Sequence, residues 1–144
     1  MNSNSASSSS VASLRSAGYR ITPQRQAILK ILEASDRPLN VEEILSRMEI
    51  CRSGIPTVYR NLRQFAEQGL IESIIGSDQA MRFVRCRSPK HHHHVQCEGC
   101  GKTVEVEGCS IYRALNSMAT RSGFRITRHQ FQLFGLCPEC QERP

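Results

Sequence analysis

No stretch of this 144-residue sequence is apolar over the roughly 20 residues that a helix needs to cross a bilayer. The first ten residues, MNSNSASSSS, lack the apolar core of a signal peptide, and their polar, repetitive composition predicts a disordered tail over residues 1–11. The sequence also contains neither a recognisable catalytic triad nor a phosphate-binding loop. We therefore expect a cytoplasmic protein that has no membrane segment, is not an enzyme and takes no small-molecule substrate.

The cysteine content and the charge indicate what the chain is able to bind. Seven cysteines without a secretory signal favour a reducing compartment, where thiols hold metal ions rather than form disulfides. The formal net charge is +6, and most of the basic excess lies before residue 88, so an anionic partner is compatible with the N-terminal half. A basic charge of this size is also common for solubility alone, and it does not by itself predict nucleic-acid binding.

Three short helices are predicted in the N-terminal half. A threonine followed by a proline begins the first, and apolar residues recur at helical spacing over residues 22–34. Asn40, followed three residues later by Glu43, predicts a capping box at the start of the second helix. The third helix is predicted over residues 56–68, between a proline and a glycine.

The third helix is followed by residues whose alternation predicts a two-stranded hairpin over residues 71–75 and 81–84. Three short helices and a hairpin make the pattern of a winged helix-turn-helix domain, which we place over residues 12–85. One face of the third helix is apolar and is expected to be buried. It carries Val58, Leu62, Phe65 and Ala66.

The opposite face of the third helix has residue types that are able to enter a DNA major groove: Thr57, Tyr59, Arg60, Arg63 and Gln64. A solvated helix face has a similar composition, so these residues alone leave both interpretations open. Arginines near the preceding helix and on the hairpin are candidates for phosphate contacts: Arg15, Arg20, Arg25, Arg82, Arg85 and Arg87.

The C-terminal half contains two C-x-x-C pairs: Cys97 with Cys100, and Cys137 with Cys140. Two matched pairs predict a closed tetrahedral zinc site, whereas a single pair would also be compatible with a thioredoxin-like redox role. Between the pairs we predict a strand over residues 103–107, a helix near 110–122 and a strand within 125–135. The fold class is therefore α+β, and residues 86–144 form a small dimerisation domain that depends on zinc. Cys51 is expected to be structural.

Four segments resemble the ferric uptake regulator superfamily: 18-GYRITPQRQAIL-29, 56-PTVYRNLRQFAEQGLIE-72, the histidine run joined to 97-CEGCG-101, and 126-ITRHQFQLFGLCPEC-140. The similarity covers about residues 12–140. It implies a cytoplasmic, metal-dependent, homodimeric repressor that binds double-stranded DNA operators. Each subunit would have an N-terminal winged helix and a C-terminal α/β dimerisation domain. It also implies that Tyr59 and Arg60 contact bases and that Arg20 reaches the minor groove.

Four consecutive histidines precede the first C-x-x-C pair. In an extended strand, alternate side chains point to opposite faces, so His92 and His94 would share one face and His91 and His93 the other. The resemblance implies that the H-x-H pair on one face belongs to a metal-sensing site between the two domains. The run would therefore supply one pair of histidine ligands to each of two metal sites, one on either face of the strand.

The sequence has no histidine before residue 91, whereas iron and peroxide sensors of the superfamily recruit one from the DNA-binding half. The zinc-sensing branch instead uses a hinge cysteine, the H-x-H pair and a carboxylate. By this resemblance the regulatory zinc ligands are Glu72, Cys86, His92 and His94. Thiolate and imidazole suit zinc, whereas ferrous iron prefers nitrogen and oxygen. Asp78 is an alternative to Glu72.

A third metal site is less complete in the sequence. His91 and His93 match one histidine face, and the resemblance places His129 beside them as a further ligand. Tyr112 stands where the superfamily often carries a helical glutamate. The site is therefore either vestigial or completed by another ligand, for which the candidates are Glu105, Glu107 and Cys109. Cys109 also lies near a predicted helix N-terminus, where a thiol tends to be reactive.

These expectations combine into a zinc-responsive transcription regulator, mainly a repressor, that binds a palindromic operator as a homodimer with two or three zinc ions per subunit. Two alternatives stay open. One is an iron- or peroxide-responsive regulator of the same superfamily, and the other is a zinc-storage or zinc-delivery protein that uses the histidine run.

Overall fold

A computed structural model describes the chain over residues 3–49, 54–76 and 78–142. The chain divides into two compact units, Met1–Arg87 and Ser88–Pro144, close to the predicted domain boundary after residue 85. Cys51 lies outside the described residues. Within them, no helix combines the length and the apolar character that crossing a membrane requires.

The first unit consists of helices followed by an antiparallel hairpin. Its elements are α1 (Ser3–Ser16), α2 (Pro23–Glu33), α3 (Val41–Ser46), α4 (Ile55–Glu67), β1 (Ile71–Ile75) and β2 (Met81–Arg85). Leu39, just before α3, forms an antiparallel bridge with Phe83 of β2, with N···O distances of 3.0 and 2.8 Å. The bridge fixes the hairpin against the helices, and the unit has the winged helix-turn-helix architecture that the sequence predicts.

Local capping signals set where α2 and α3 begin. The Thr22 hydroxyl accepts a hydrogen bond from the Arg25 N–H at 3.3 Å, and a proline occupies the first helical position. At α3, Asn40 Oδ1 accepts from the Glu43 N–H at 2.8 Å, while Glu43 Oε2 accepts from the Asn40 N–H at 2.9 Å. The predicted capping box is therefore present, and it satisfies two N–H groups that the helix itself leaves unpaired.

The buried apolar cluster of the described residues lies in the first unit. Ile28 and Leu32 of α2, Ile44 of α3 and Phe65 of α4 are at most 3% exposed. Each such side chain contributes about 1.5–3 kcal/mol when it is withdrawn from water. This cluster positions α4 against the other helices and leaves the opposite face of α4 at the surface.

The N-terminal segment differs from the disordered tail that the composition predicts over residues 1–11. Helix α1 begins at Ser3, and its C-terminal half packs on the core of the first unit. Leu14 is fully buried, and the buried Ser10 hydroxyl donates to Glu33 Oε1 at 3.3 Å. A few residues placed at one helical face thus anchor a serine-rich segment whose composition alone favours disorder.

The second unit contains the elements β3 (His92–Cys97), β4 (Thr103–Glu107), α5 (Tyr112–Ser122), β5 (Gln132–Gly135) and α6 (Pro138–Gln141). In its sheet, β3 lies between β4, which is antiparallel to it, and β5, which is parallel to it. The strand predicted within residues 125–135 forms only where it pairs with β3. Gly123 ends α5 in the left-handed conformation, at φ 72°, which favours glycine.

Apolar side chains of the second unit are largely exposed. Its fully or nearly buried residues are polar or metal-binding types: His93, His94, Gln96, Cys97 and Cys140. Meanwhile the following large apolar side chains are between 41% and 76% exposed: Val104, Val106, Tyr112, Met118, Phe124, Ile126, Phe131, Leu133, Phe134 and Leu136. A unit of this size with so little buried apolar surface requires other sources of stability.

Candidate metal centres and nucleic-acid interface

Four cysteines of the second unit converge at one end of its sheet. Cys97 ends β3 and Cys100 lies in the turn that follows it, whereas Cys137 precedes α6 and Cys140 lies within α6. The four sulfur atoms lie within 4.8 Å of one another. The Cys100 and Cys137 sulfurs are 3.7 Å apart. A zinc–sulfur bond of about 2.3 Å places the corners of a tetrahedron about 3.8 Å apart, so the spacing fits a four-cysteine zinc site.

Backbone geometry makes room for this cluster. A Cβ atom at Gly99 would lie 2.9 Å from Cys140 Sγ, so only glycine fits there without displacing a ligand. The Cys137 N–H donates to Cys97 Sγ at 3.2 Å and lowers the pKa of that thiol to about 6. In contrast, the neighbouring Cys137 thiol, together with burial, raises the pKa of Cys140 to about 12. Four crowded thiols cannot all ionise alone, whereas a bound dication stabilises the thiolate forms.

The histidine run extends into β3, and its side chains alternate between the two faces of the strand. The rings of His92 and His94 have centroids 5.1 Å apart, and those of His91 and His93 have centroids 4.7 Å apart. Each pair brings ring nitrogens within 4.8 Å of each other. Two adjacent two-histidine faces are therefore present, as expected for an extended strand.

His92 is held in the tautomer that a metal ligand requires. Its Nδ1 lies 2.7 Å from the Lys90 carbonyl oxygen, which can only accept, so Nδ1 carries the proton and donates. Nε2 then presents its lone pair, and that atom is buried with no hydrogen-bond partner among the described residues. A backbone carbonyl that fixes one ring nitrogen while the other faces a metal is the usual support of histidine ligands.

Two further candidate ligands lie together in the first unit. Glu72 is on β1 opposite Val84 of β2, and the Cys86 N–H donates to the Leu70 carbonyl at 2.9 Å just after β2. The Cys86 sulfur and a Glu72 carboxylate oxygen lie within 4.8 Å of each other. The hairpin pairing therefore brings together a thiol and a carboxylate that are separated along the chain.

Asp78, the alternative carboxylate, has another role within the first unit. It forms an ion pair with Arg82, and its Oδ1 accepts from the Ala80 N–H at 3.2 Å. The hydrogen bond from Arg82 is the largest of the effects that lower the pKa of Asp78. These contacts close the hairpin turn, which leaves Glu72 as the better candidate for a metal ligand.

A second cluster in the second unit contains His91, His93, His129 and Cys109, with one ligand atom of each within 4.8 Å of the others. Of the three candidates for its fourth ligand, the structure brings Cys109 there. Glu105 accepts from the Ser88 N–H at 3.2 Å, and Glu107 accepts from the Ser88 hydroxyl at 2.8 Å. Both carboxylates lie opposite His92 and His94 in the β3–β4 register and not beside this cluster.

The outward face of α4 presents Tyr59, Arg60 and Arg63 to solvent, with Tyr59 45% exposed. Thr57 and Gln64 flank them and are half-buried. Arg63 also forms an ion pair with Glu67 one turn on, at 3.0 Å. Arg20 is exposed before α2. An exposed helix beside a hairpin wing can enter a DNA major groove.

The inward face of α4 departs from the sequence prediction at two positions. Ala66 is exposed, whereas Asn61 is buried at 7% exposure. The Asn61 amide is satisfied on both sides, because Oδ1 accepts from Arg25 Nε at 3.0 Å and Nδ2 donates to the Thr57 carbonyl at 2.9 Å. The apolar spacing could not indicate a buried amide, because its partner lies on another helix.

Several arginines proposed for phosphate contacts are engaged within the first unit. The Arg25 guanidinium donates to Asn61, to Gln64 and to the Arg20 carbonyl. Arg82 pairs with Glu43 at 3.1 Å and with Asp78, and Arg85 lies 3.7 Å from a Glu33 oxygen. These three side chains hold α2, α3, α4 and the hairpin together.

A winged helix followed by a small unit with a four-cysteine site defines a class of metal-binding DNA-binding protein. The profile of the ferric uptake regulator family matches residues 16–134, which is most of the chain. The chain belongs to the ferric uptake regulator family, whose members are metal-responsive, DNA-binding transcription regulators rather than enzymes.

Individual relatives differ in the signal to which they respond. The chain is 35% identical over 136 residues to the peroxide-responsive repressor PerR of Staphylococcus aureus (strain USA300), covering 93% of this chain and 90% of that protein. A zinc uptake regulator complexed with zinc and DNA has the same fold, with a TM-score of 0.85, 23% identity, and coverage of 99% of this chain and 97% of its own. Holo XcZur has a TM-score of 0.77 and 25% identity, with coverage of 95% and 99%.

Proposed function

We propose that the chain is a zinc-responsive transcription regulator, mainly a repressor of zinc homeostasis genes, that binds a palindromic operator as a zinc-loaded homodimer. The observation that carries the proposal is the character of the candidate sensing ligands. The first unit supplies the thiol of Cys86 and the carboxylate of Glu72. The second unit supplies His94 and also His92, whose Nε2 presents its lone pair. One sulfur, two imidazole nitrogens and one carboxylate oxygen form a tetrahedral set that suits zinc.

The two pairs of ligands belong to different units, and this gives the proposed sensing mechanism. Neither pair alone fills a four-coordinate site, so one zinc ion would have to take ligands from both. Binding would then favour the arrangement of the units in which all four ligands meet. If that arrangement is also the one that fits the operator, zinc and DNA bind with positive coupling, and each strengthens the other by the same factor.

DNA contact is assigned to the first unit. Tyr59 and Arg60 would read base edges from the exposed face of α4, with Thr57 and Arg63 beside them and Arg20 in the adjacent minor groove. Arginine is the side chain that most often reads guanine through two hydrogen bonds in the major groove. The structural zinc at the four cysteines would support the second unit independently of sensing.

The homodimer would form through the second unit. Large apolar side chains are exposed on β4, on α5 and around β5, and a second copy of the chain would cover them. A symmetric dimer would match a palindromic operator, because two symmetric subunits present one recognition helix to each half-site. The thiol ligands require a reducing compartment, and we therefore place the protein in the cytoplasm.

A peroxide-responsive regulator is the second candidate, because the S. aureus relative at 35% identity is a peroxide-responsive repressor. In such a regulator, peroxide would weaken binding to the operator. A zinc-storage or zinc-delivery protein is the third candidate. It would bind zinc without any metal-dependent affinity for DNA.

The deciding experiment is a DNA-binding titration with the full chain, in which the four-cysteine site holds zinc and other metal has been removed. Operator fragments selected from random sequence provide the probe. Zinc, ferrous iron and manganese are then added separately. We expect zinc at low free concentration to activate specific binding and peroxide to have little effect on the zinc-loaded form. Activation by ferrous iron and not by zinc, or loss of specific binding on addition of peroxide, would support the iron- or peroxide-responsive candidate, and the absence of metal-dependent DNA binding would support the carrier.

A further inference from the structure

We propose that Arg25 is a positioning residue for DNA recognition. Its guanidinium ties the segment that carries Arg20 to the recognition helix α4, so that the two approach DNA as one rigid surface. The inference rests on the proposed function, in which Arg20 enters the minor groove and α4 the major groove. It goes beyond that function, because Arg25 would set the strength of the Arg20 contact without itself touching the DNA.

The Arg25 guanidinium donates hydrogen bonds to three acceptors at once. Nε donates to Asn61 Oδ1 at 3.0 Å, and Nη2 donates to the side-chain oxygen of Gln64. Both acceptors belong to α4. Nη1 donates to the backbone carbonyl of Arg20, which lies before α2. One side chain therefore bridges the recognition helix and the segment that carries Arg20, and all of these residues lie in the first unit.

The two ends of this bridge differ in how firmly the fold holds them. On α4, Asn61 is only 7% exposed, and its Nδ2 donates to a carbonyl of its own helix at 2.9 Å. At the other end, residues 19–22 form neither helix nor strand, and the Arg20 side chain is exposed. The Arg25 guanidinium carbon also lies 5.4 Å from the centroid of the Tyr19 ring, within the range of a cation–π contact. Arg25 therefore attaches an irregular segment to a rigid element at two neighbouring residues.

Arginine is the residue type that such a bridge requires. Its planar fork directs N–H groups outward in several fixed directions, whereas the donors of a lysine ammonium all leave one nitrogen atom. A lysine at position 25 would keep the charge but could not reach three separated acceptors. Because all three acceptors are uncharged, the hydrogen bonds position the Arg25 guanidinium without neutralising its charge.

Holding Arg20 against α4 has a direct consequence for binding. An arginine in the minor groove responds to the width and the negative potential of that groove, and it must reach the groove while the helix occupies the adjacent major groove. A segment that is already attached to α4 loses less conformational freedom when it binds. Loss of the bridge should therefore weaken the contribution of Arg20 to affinity even though Arg20 is still present.

A double-mutant cycle on the full chain with saturating zinc tests the bridge. Arg20→Ala should weaken operator binding at least about fivefold in the native background but less than about twofold in the Arg25→Lys background. If Arg25 were an independent phosphate contact, the two losses would multiply. Arg15→Ala is the matched control, because Arg15 is exposed and lies as far before Arg20 as Arg25 lies after it. Its loss should multiply with that of Arg20→Ala.

Modification of arginines by phenylglyoxal, located by mass spectrometry, gives a second readout on the unsubstituted chain. In the free protein, Arg25 should react more slowly than Arg15 and Arg20, because its donors are engaged. The operator should protect Arg20 and Arg60 and leave the rate at Arg25 unchanged.

Two results would overturn the proposal: losses that multiply in the Arg20 and Arg25 cycle, or fast modification of Arg25 that the operator suppresses. Failure of the proposed function has a different signature. In that case the operator would protect neither Arg20 nor Arg60, while Arg25 would still react slowly in the free protein.

Discussion

Arg25 of α2 donates a hydrogen bond from Nε to Oδ1 of Asn61 on α4, at 3.0 Å. Asn61 is buried, and its Nδ2 donates a second hydrogen bond to the Thr57 carbonyl within the same helix. The same guanidinium donates to Gln64 one turn further along α4. An arginine that the sequence indicates as a phosphate contact is therefore part of the packing that orients the proposed recognition helix.

Arg25→Ala should destabilise the first unit, because it leaves the buried side-chain oxygen of Asn61, Oδ1, without its hydrogen-bond donor. We expect a loss of about 1–3 kcal/mol in the free energy of unfolding, measured by urea denaturation. The control is Arg15→Ala at an exposed position of α1, which should change stability by less than about 0.5 kcal/mol. Equal stability of the two variants would mean that water replaces the guanidinium at little cost.

Cys97→Ser should remove the zinc of the four-cysteine site and unfold the second unit. The reason is that this unit buries little apolar surface, and a small domain of that kind gains folding free energy from bound metal. Metal analysis, circular dichroism and sedimentation measure zinc content, folded structure and the dimer together. Cys109→Ser should keep the four-cysteine zinc and serves as the control. A Cys97→Ser protein that stays folded, dimeric and fully loaded with zinc contradicts the assignment.

Arg60→Ala should weaken operator binding by about 1–3 kcal/mol and relax sequence preference, because a base-reading side chain discriminates between sequences. Affinities for an operator fragment and for random DNA of the same length, at one salt concentration, separate the two kinds of contact. An equal loss on both DNAs would instead assign Arg60 to the phosphate backbone.

Cys86→Ser should weaken the sensing zinc at least about tenfold, or about 1.4 kcal/mol, while it leaves the four-cysteine zinc and the dimer intact. Operator binding should then require correspondingly more zinc, since the coupling between the two binding events is reciprocal. His93→Ala should have a smaller effect, because its ring belongs to the other face of β3. If His93→Ala has the larger effect on the zinc titration, the assignment of the sensing face is wrong.

Glu43→Gln should make the stability of the first unit less dependent on pH. Burial raises the pKa of Glu43, but the Asn40 N–H and the guanidiniums of Arg37 and Arg82 outweigh burial and lower the pKa from 4.5. The stabilisation is therefore complete above about pH 4.5 and is lost as the pH falls through the lower folded pKa.

Urea denaturation at about pH 7 should show Glu43→Gln to be less stable than the unsubstituted chain by up to about 1 kcal/mol, and the difference should shrink in acid. Glu42→Gln, at the exposed neighbouring position in the same helical turn, is the matched control. A difference that stays constant with pH would assign the effect to packing and not to charge.

The sequence predicts those features that depend on neighbouring residues. Asn40 and Glu43 are three residues apart, and their capping box follows from local geometry alone. The hairpin of β1 and β2 is likewise predicted by alternation over a short segment. The four-cysteine cluster joins two pairs that lie 40 residues apart, and it was predictable only because each C-x-x-C pair is by itself a metal-ligand motif.

Features that depend on distant partners could not be predicted in this way. Arg25 and Asn61 are 36 residues apart, and nothing in the pattern of α4 indicates that its buried face contains an amide. The sequence leaves three candidates for the fourth ligand of the third metal site. In the structure, Cys109 follows the turn at Gly108 and lies beside His129. Helix α1 likewise depends on packing against α2, which its serine-rich composition does not reveal.

The order of the four cysteines along the chain affects how a nascent polypeptide matures. The first unit, with the apolar cluster, is complete by Arg87 and can fold while translation continues. Cys137 emerges 40 residues after Cys97, an interval of about 2–8 s at ordinary elongation rates. During that interval only Cys97 and Cys100 of the four proposed ligands have been synthesised. If the four cysteines hold zinc as proposed, the second unit completes its fold only after Cys137 and Cys140 have both been synthesised.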